Sequence, residues 1–222
     1  VYHWDFASLL QYRRLLLQGF GCTLLYTLVC VLLGLILGVL TAFASLAPLK
    51  AVRALASAYV ELFRCTPLLV QLIWFYYALP IVSGIELSPS SAAILTLTLY
   101  GGAFYSEIVR GGIVSIDAGQ KNAARALGMQ PYQVMQSVVL PQAFKRMLPA
   151  LVNQSIIQLK NTSLLSILAV PDLLYQGQTV AHETYRPLEA YTLVAAAYFV
   201  ILWPATLFAK RLELHLAGST AS

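Results

Sequence analysis

From Gly19 to Ala47 the chain runs without a single charged side chain. A helix needs roughly 20 apolar residues to cross the hydrocarbon core of a bilayer, so this run is long enough to span and too long for an ordinary buried core helix. Further apolar stretches lie at about 60–80, 88–110, 148–170 and 191–209; Lys160 interrupts the fourth, and Lys210 and Arg211 close the fifth. Only 10% of the 222 residues are charged and 59% are hydrophobic, against about 25% charged in a soluble protein. The expected fold is an all-α integral membrane protein of about five transmembrane helices in one domain over 1–222.

The net charge of +5 does not indicate a nucleic-acid partner, because the cations sit at the edges of apolar runs instead of clustering on a solvated face. They read as topology signals. With the N-terminus outside, Lys50, Arg53, Arg110, Lys121, Arg125, Lys145, Arg146, Lys210 and Arg211 collect on the cytoplasmic side, where positive loops stay. Arg13 and Arg14 oppose that tally and are expected on a short interfacial helix whose leucines dip into membrane lipid. The run after them is too long for a signal-peptide core and is expected to stay as a span. Cys22, Cys30 and Cys65 have neither disulfide-framework nor zinc spacing, and the dispersed histidines leave no metal site expected. Pro80, Pro89, Pro171 and Pro187 are placed at outer helix ends, as stops, and Gln176, Gly177 and Gln178 in an outer loop.

The segment 111–147 is the longest between spans and carries "GQKNAARALG" from Gly119 to Gly128. Asp117 suits a helix start and Gly128 a helix end. Between them Ala123, Ala124 and Leu127 make a low-relief apolar face, too short and too weakly apolar to span. Small side chains allow close approach, so such a helix suits docking into a partner's groove. A solvated connector is equally compatible with the spacing.

"NAARALG", nine residues and then "VVLP" at Val138 to Pro141 resemble the EAA loop of permease subunits of binding-protein-dependent ABC importers. "YVELFRCTPLLVQL", "FYSEIVRGGIVSIDAGQ", "LPQAF" and "LKNTSLLSI" are similar to the subgroup that imports polar amino acids. The resemblance covers about Gly19 to Glu213. It implies a type I importer fold in which Gln120 to Gly128 forms a coupling helix seated on a cytoplasmic ATPase. Gln120, Asn122, Ala123, Ala124, Leu127, Gly128 and Pro141 would carry that contact. Asn122 stands where the family has Glu, which removes an ionic component.

Ionisable groups at membrane depth suggest function. Glu61 and Arg64, three residues apart, are expected to pair with each other as a structural or gating element. Glu107 has Arg110 three residues on, and the resemblance associates its position with the transport pathway. Lys160 has no acid within helical reach. Relatives carry Lys-Asp-Thr-Ser where this chain has Lys160, Asn161, Thr162 and Ser163, and the missing Asp removes a counter-charge for a cationic ligand. Tyr100 and Gln71 complete the candidate pathway. Gly101 and Gly102 beside Tyr100, and Gly34 with Gly38, have the spacing of close helix packing.

No phosphate-binding loop of the Gly-x-x-x-x-Gly-Lys-Ser/Thr type occurs in the sequence. The chain is therefore expected to have no enzymatic activity and no cofactor of its own, with ATP and magnesium held by a partner ATPase. Five spans do not readily enclose a solute path, so a second permease chain is expected; the resemblance adds an extracytoplasmic amino-acid-binding protein. The expected function is import of polar amino acids, acidic or neutral, across the bacterial inner membrane. The alternative is an ion-gradient-driven secondary transporter, which predicts inverted repeats.

Overall fold

The computed structural model describes residues 2–218, and those residues contain helices and no strand. A 3-10 turn, Ala7–Tyr12, leads into α1, Arg13–Ser45. That helix stops just short of Pro48, whose ring disfavours helical geometry in the preceding residue. Helix α2, Lys50–Cys65, buries Ala56, Val60 and Phe63 on one stripe, a helical repeat that leaves its charged side chains outward. The chain then bends at Thr66–Pro67 into α3, Leu68–Ile73, a π turn at Trp74–Ala78 and α4, Leu79–Ser83. Helix α5 is Pro89–Val114, α6 Ala118–Ala126 and α7 Pro131–Gln133. A second π turn, Val134–Val139, joins α7 to α8, Leu140–Asn161, which tightens into a 3-10 turn, Thr162–Leu168. Helices α9, Leu173–Thr184, and α10, Pro187–Gly218, complete the chain.

Among the described residues three helical stretches are long and apolar enough to cross a membrane: Ala7–Ser45, Pro89–Val114 and Pro187–Leu216. The bent pair Lys50–Cys65 and Leu68–Ser83 adds a fourth if it is one span. The expected 60–80 is therefore not one straight span: its first residues belong to the amphipathic α2, and the chain bends before Leu68. The expected span 148–170 also divides. Asn153, Gln154, Gln158 and Lys160 dilute its apolar character, and the α-helix ends at Asn161.

Two of the prolines expected to end helices open them instead. Pro89 and Pro187 are first residues of α5 and α10, where the missing N–H is no loss. The Ser88 hydroxyl accepts from Ser91 N at 3.1 Å and caps α5. Pro80 sits within the first turn of α4, after the π turn.

The described residues group into two compact units. The first takes 2–32, 66–98 and 155–206. Its core joins Leu9, Val180, Ala181 and Ala190, with Tyr12, Leu16 and Leu193 packed on them. The fully buried Glu189 carboxylate accepts from Tyr2 Oη, from Asp5 N at 3.1 Å and from Arg186 Nη1 at 3.0 Å, tying the N-terminal segment to the start of α10. The expected outer loop at Gln176–Gln178 is part of α9. Gly177 is there because a Cβ would lie 2.3 Å from Val194 Cγ2. Short-range packing of this kind, more than hydrophobicity, holds helices together in lipid.

The second unit takes 33–65, 99–154 and 207–218. A Cβ on Gly38 would meet Tyr105 Cβ at 2.5 Å and Ser106 N at 2.9 Å. One on Gly102 would meet Tyr59 Oη at 2.8 Å. Both glycines therefore serve contact between helices, and the Tyr59 hydroxyl donates to Leu99 O at 2.6 Å across the same seam.

Candidate coupling helix and polar sites

Helix α6 begins and ends where its sequence indicates. The Asp117 carboxylate accepts from Gly119 N at 2.7 Å, satisfying a first-turn donor. At the other end Gly128 has φ +83, Gly128 N donates to Arg125 O at 2.9 Å, and Met129 N to Ala124 O at 3.2 Å. This pair of bonds is a Schellman motif, whose left-handed residue favours glycine. No atom crowds a Cβ at Gly128, so conformation alone explains that residue.

Ala124 is 5% exposed and α6 packs on the Val134–Val139 turn. The Gln142 amide donates to Gln120 Oε1 at 2.7 Å and to Val138 O at 3.0 Å, bracing the helix from the side of α8. Arg146 Nη1 donates to Ser115 O at 2.6 Å and holds the loop that enters α6. Asn122, Ala123 and Arg125 are exposed, and Leu127 is 84% exposed. The expected apolar face is therefore split. Adjacent alanines point about 100° apart on a helix, so Ala124 seats α6 on its own chain while Ala123 and Leu127 remain outward. Pro141, also exposed, stands in the first turn of α8, beyond the π turn.

The expected pair of Glu61 and Arg64 is not the one formed. Arg110 Nε donates to Glu107 Oε1 at 2.7 Å and its Nη2 to Oε2 at 3.0 Å, and Arg64 Nη1 lies 3.3 Å from the same Oε2. Arg64 also stands over the Phe104 ring, 5.6 Å from its centroid. The tilted ring pair of Tyr100 and Phe104, with centroids 4.7 Å apart, supports that position. A planar guanidinium gains from both a carboxylate and an aromatic face, which a turn-mate such as Glu61 cannot offer together. Glu61, Glu107 and the two arginines line a pocket of about 330 Å³ with Arg53 and Ser57. The signal for Arg64 and Glu107 meeting was absent from local spacing, since they lie on different helices.

Lys160 occupies the last turn of α8 and is exposed. It lines a groove of about 380 Å³ with Ser163, Leu174, Tyr191, Tyr198 and Leu202, and has no ion pair among the described residues. The hydroxyls beside it are engaged by backbone. Thr162 Oγ1 donates to Leu159 O at 2.6 Å and Ser163 Oγ to Lys160 O at 2.8 Å, taking up carbonyls where the α-helix tightens. Asn161 Nδ2 is buried without a hydrogen-bond partner. Gln71 is buried and its amide donates to Thr66 Oγ1 at 2.6 Å, which reads as a brace for the bend at Pro67.

Asp172 lies outside every candidate that the sequence pattern singles out. It is fully buried at the start of α9 and accepts from Tyr175 N at 2.8 Å, and burial pushes its carboxyl up to about 6.

The profile of binding-protein-dependent transport system inner membrane components matches residues 34–219. The glutamate/aspartate import permease protein GltK of Escherichia coli O6:H1 is 34% identical over 224 residues, covering 98% of this chain and 100% of that protein. The glutamine transport system permease protein GlnP of Escherichia coli K12 is 34% identical, with 96% and 97% covered. The arginine transport system permease protein ArtQ of Bacillus subtilis is 33% identical, with 97% and 98% covered. Among solved structures, an amino acid ABC transporter crystallised with histidines superposes at a TM-score of 0.91 and 35% identity, over 96% of this chain and 100% of that one. The inward-facing methionine transporter MetNI, at 0.77 and 22% identity, shares the fold. The all-helical fold is thus that of type I ABC importer permeases, and the chain belongs to the family of binding-protein-dependent transport system inner membrane components.

Proposed function

We propose that this chain is the membrane-spanning subunit of an ATP-driven importer of polar amino acids. The observation that carries the reading is α6: a capped helix, braced by Gln142 and closed by Gly128, that turns Leu127 out to solvent. An exposed leucine at the end of a capped helix of small and polar residues suits a groove on a partner, and likeness to a solved amino acid ABC transporter supports an ABC ATPase as that partner. Two such ATPases, a second permease chain and an extracytoplasmic binding protein complete the assembly. The distribution of Lys and Arg supports a topology with α6 and the C-terminus in the cytoplasm and the N-terminus outside. The family's own description, a binding-protein-dependent system, leaves the gradient-driven alternative without support.

The substrate is an acidic or neutral polar amino acid. Relatives are named for glutamine, glutamate and aspartate, and arginine, so names alone do not choose among them. Charge supports the acidic or neutral reading: Glu107 is held by two arginines, and Asn161 stands where the family resemblance has Asp, so neither offers a free carboxylate to a cationic side chain. Lys160, without an ion pair among the described residues, suits a substrate carboxylate. The test is uptake into proteoliposomes holding the permease, its ATPase and its binding protein. ATP-dependent uptake of labelled glutamine or glutamate, not competed by arginine, is expected; uptake without ATP, or preference for arginine, contradicts the proposal.

A further inference from the structure

Where α8 begins and α10 ends, a groove of about 340 Å³ opens that the transport reading does not use. Lys145 and Arg146 of α8 and Glu213 of α10 bring charge to it, and Asn153 brings an amide. Pro149, Ala150 and Leu216 supply apolar wall. Among the described residues none of the three charged groups forms an ion pair, although both signs line one groove. Arg146 is anchored to a neutral carbonyl, Ser115 O, at 2.6 Å, which fixes the guanidinium without neutralising it.

The groove lies where both helices pass between charge and apolar surface. Apolar sequence begins directly after Arg146, and Lys210 and Arg211 close the apolar run of α10. Phe144, next to Lys145 in sequence, and Phe208, five residues before Glu213, are exposed and add apolar surface to the same two helices. Basic pockets between membrane helices at this depth bind lipid phosphate. Two cations and one carboxylate ask for more than an anion: a phosphate for Lys145 and Arg146, joined to a hydrogen-bond donor for Glu213.

We infer that the groove lined by Lys145, Arg146 and Glu213 binds a phospholipid headgroup whose phosphate meets the cations and whose distal donor meets the carboxylate. Phosphoethanolamine offers an ammonium and phosphoglycerol offers hydroxyls. Phosphocholine has no donor at all, so it fits the phosphate end only. The volume falls within the range of small-ligand sites, and the apolar wall receives the first part of an acyl chain. The inference needs the membrane assignment but not the choice of transported solute.

The test uses the permease purified with its ATPase, exchanged into equimolar phosphatidylcholine, phosphatidylethanolamine and phosphatidylglycerol, re-extracted, and weighed by native mass spectrometry with its bound lipid. Retention of phosphatidylethanolamine or phosphatidylglycerol over phosphatidylcholine is expected. Lys145→Ala should reduce retention about fivefold, the effect of one cation near lipid phosphate, and Lys145→Arg should restore it. Glu213→Ala should abolish the preference over phosphatidylcholine while leaving phosphate binding. Equal retention of all three lipids, or retention indifferent to Lys145→Ala, overturns the inference. So does Lys145-dependent binding of glycerol 3-phosphate without Lys145-dependent lipid, which assigns the groove to a soluble phosphate ester. Loss of the ATPase in Lys145→Ala with lipid unchanged assigns it to a protein contact and also overturns the inference. Normal glutamine or glutamate uptake beside such a failure would leave the transport reading standing.

Discussion

Arg64 and Glu107, 43 positions apart in sequence, face each other at 3.3 Å, while Arg110 holds both oxygens of the same carboxylate from one helical turn away. One carboxylate thus faces two guanidinium groups, and the trio keeps a net positive charge. Glu107→Gln should leave both arginines without a counter-charge and lower uptake, with a shift of preference toward acidic substrates. The side chains are 28% to 43% exposed, so the direct effect on stability should stay at about 1 kcal/mol or less. Competition uptake assays with glutamate and glutamine read the shift, and an unchanged preference would count against a role for this cluster in selection.

Gly128→Ala tests the end of α6. There is room for a Cβ, but the residue sits at φ +83, where an L side chain costs roughly 1–2 kcal/mol. The last turn of α6 should fray. Faster amide hydrogen exchange in residues 123–129, with the spans unaffected, is the expected result, accompanied by weaker ATPase binding.

Ala124 and Leu127 should respond in opposite ways. Ala124→Leu forces volume against the Val134–Val139 turn and should destabilise by about 1–3 kcal/mol, as overpacking does. Leu127→Ser removes an 84% exposed side chain and should leave the melting temperature unchanged while weakening ATPase co-purification. Thermal unfolding of the permease alone and pull-down of its ATPase separate the two effects.

Gly38 and Gly111 form a control pair. Gly38→Ala places a Cβ 2.5 Å from Tyr105 Cβ and should cost about 1–3 kcal/mol, whereas Gly111→Ala meets nothing within 4 Å and should be neutral or slightly stabilising. Melting temperatures in detergent decide between them.

Asp172 predicts a pH dependence. Its carboxyl, ordinarily near 3.8, is raised to about 6 by burial, so the folded protein binds the proton more tightly than the unfolded chain. Stability from this group is present below about pH 4 and is lost as pH rises through 6, on the order of 2–3 kcal/mol. Asp172→Asn keeps an acceptor for Tyr175 N and should flatten that slope. Urea midpoints at pH 5 and 7.5 measure it; a wild-type slope of the opposite sign would contradict the assignment.

Much of this molecule is written locally. The charge-free run 19–47 determined a membrane helix, because a single apolar segment satisfies its own backbone polar groups in lipid only as a helix. Asp117 and Gly128 determined both ends of α6, since caps act within a single turn. Pro67 stands at the bend after α2, another effect confined to neighbouring residues. What the sequence could not decide depended on which helix lies beside which. Ala124 and Ala123 are the same residue type, and only packing on the Val134–Val139 turn separates the inward from the outward one. Arg64 had a turn-mate in Glu61, and only the approach of α5 offered it Glu107 and the face of Phe104. Asp172 has nothing in its spacing to single it out, and only burial makes it an interior cap. Spans, caps and bends follow from interactions within one or two turns, which sequence spacing records. Ion-pair choice, burial and the inward face of a small helix are settled between distant segments, which only the tertiary structure brings together.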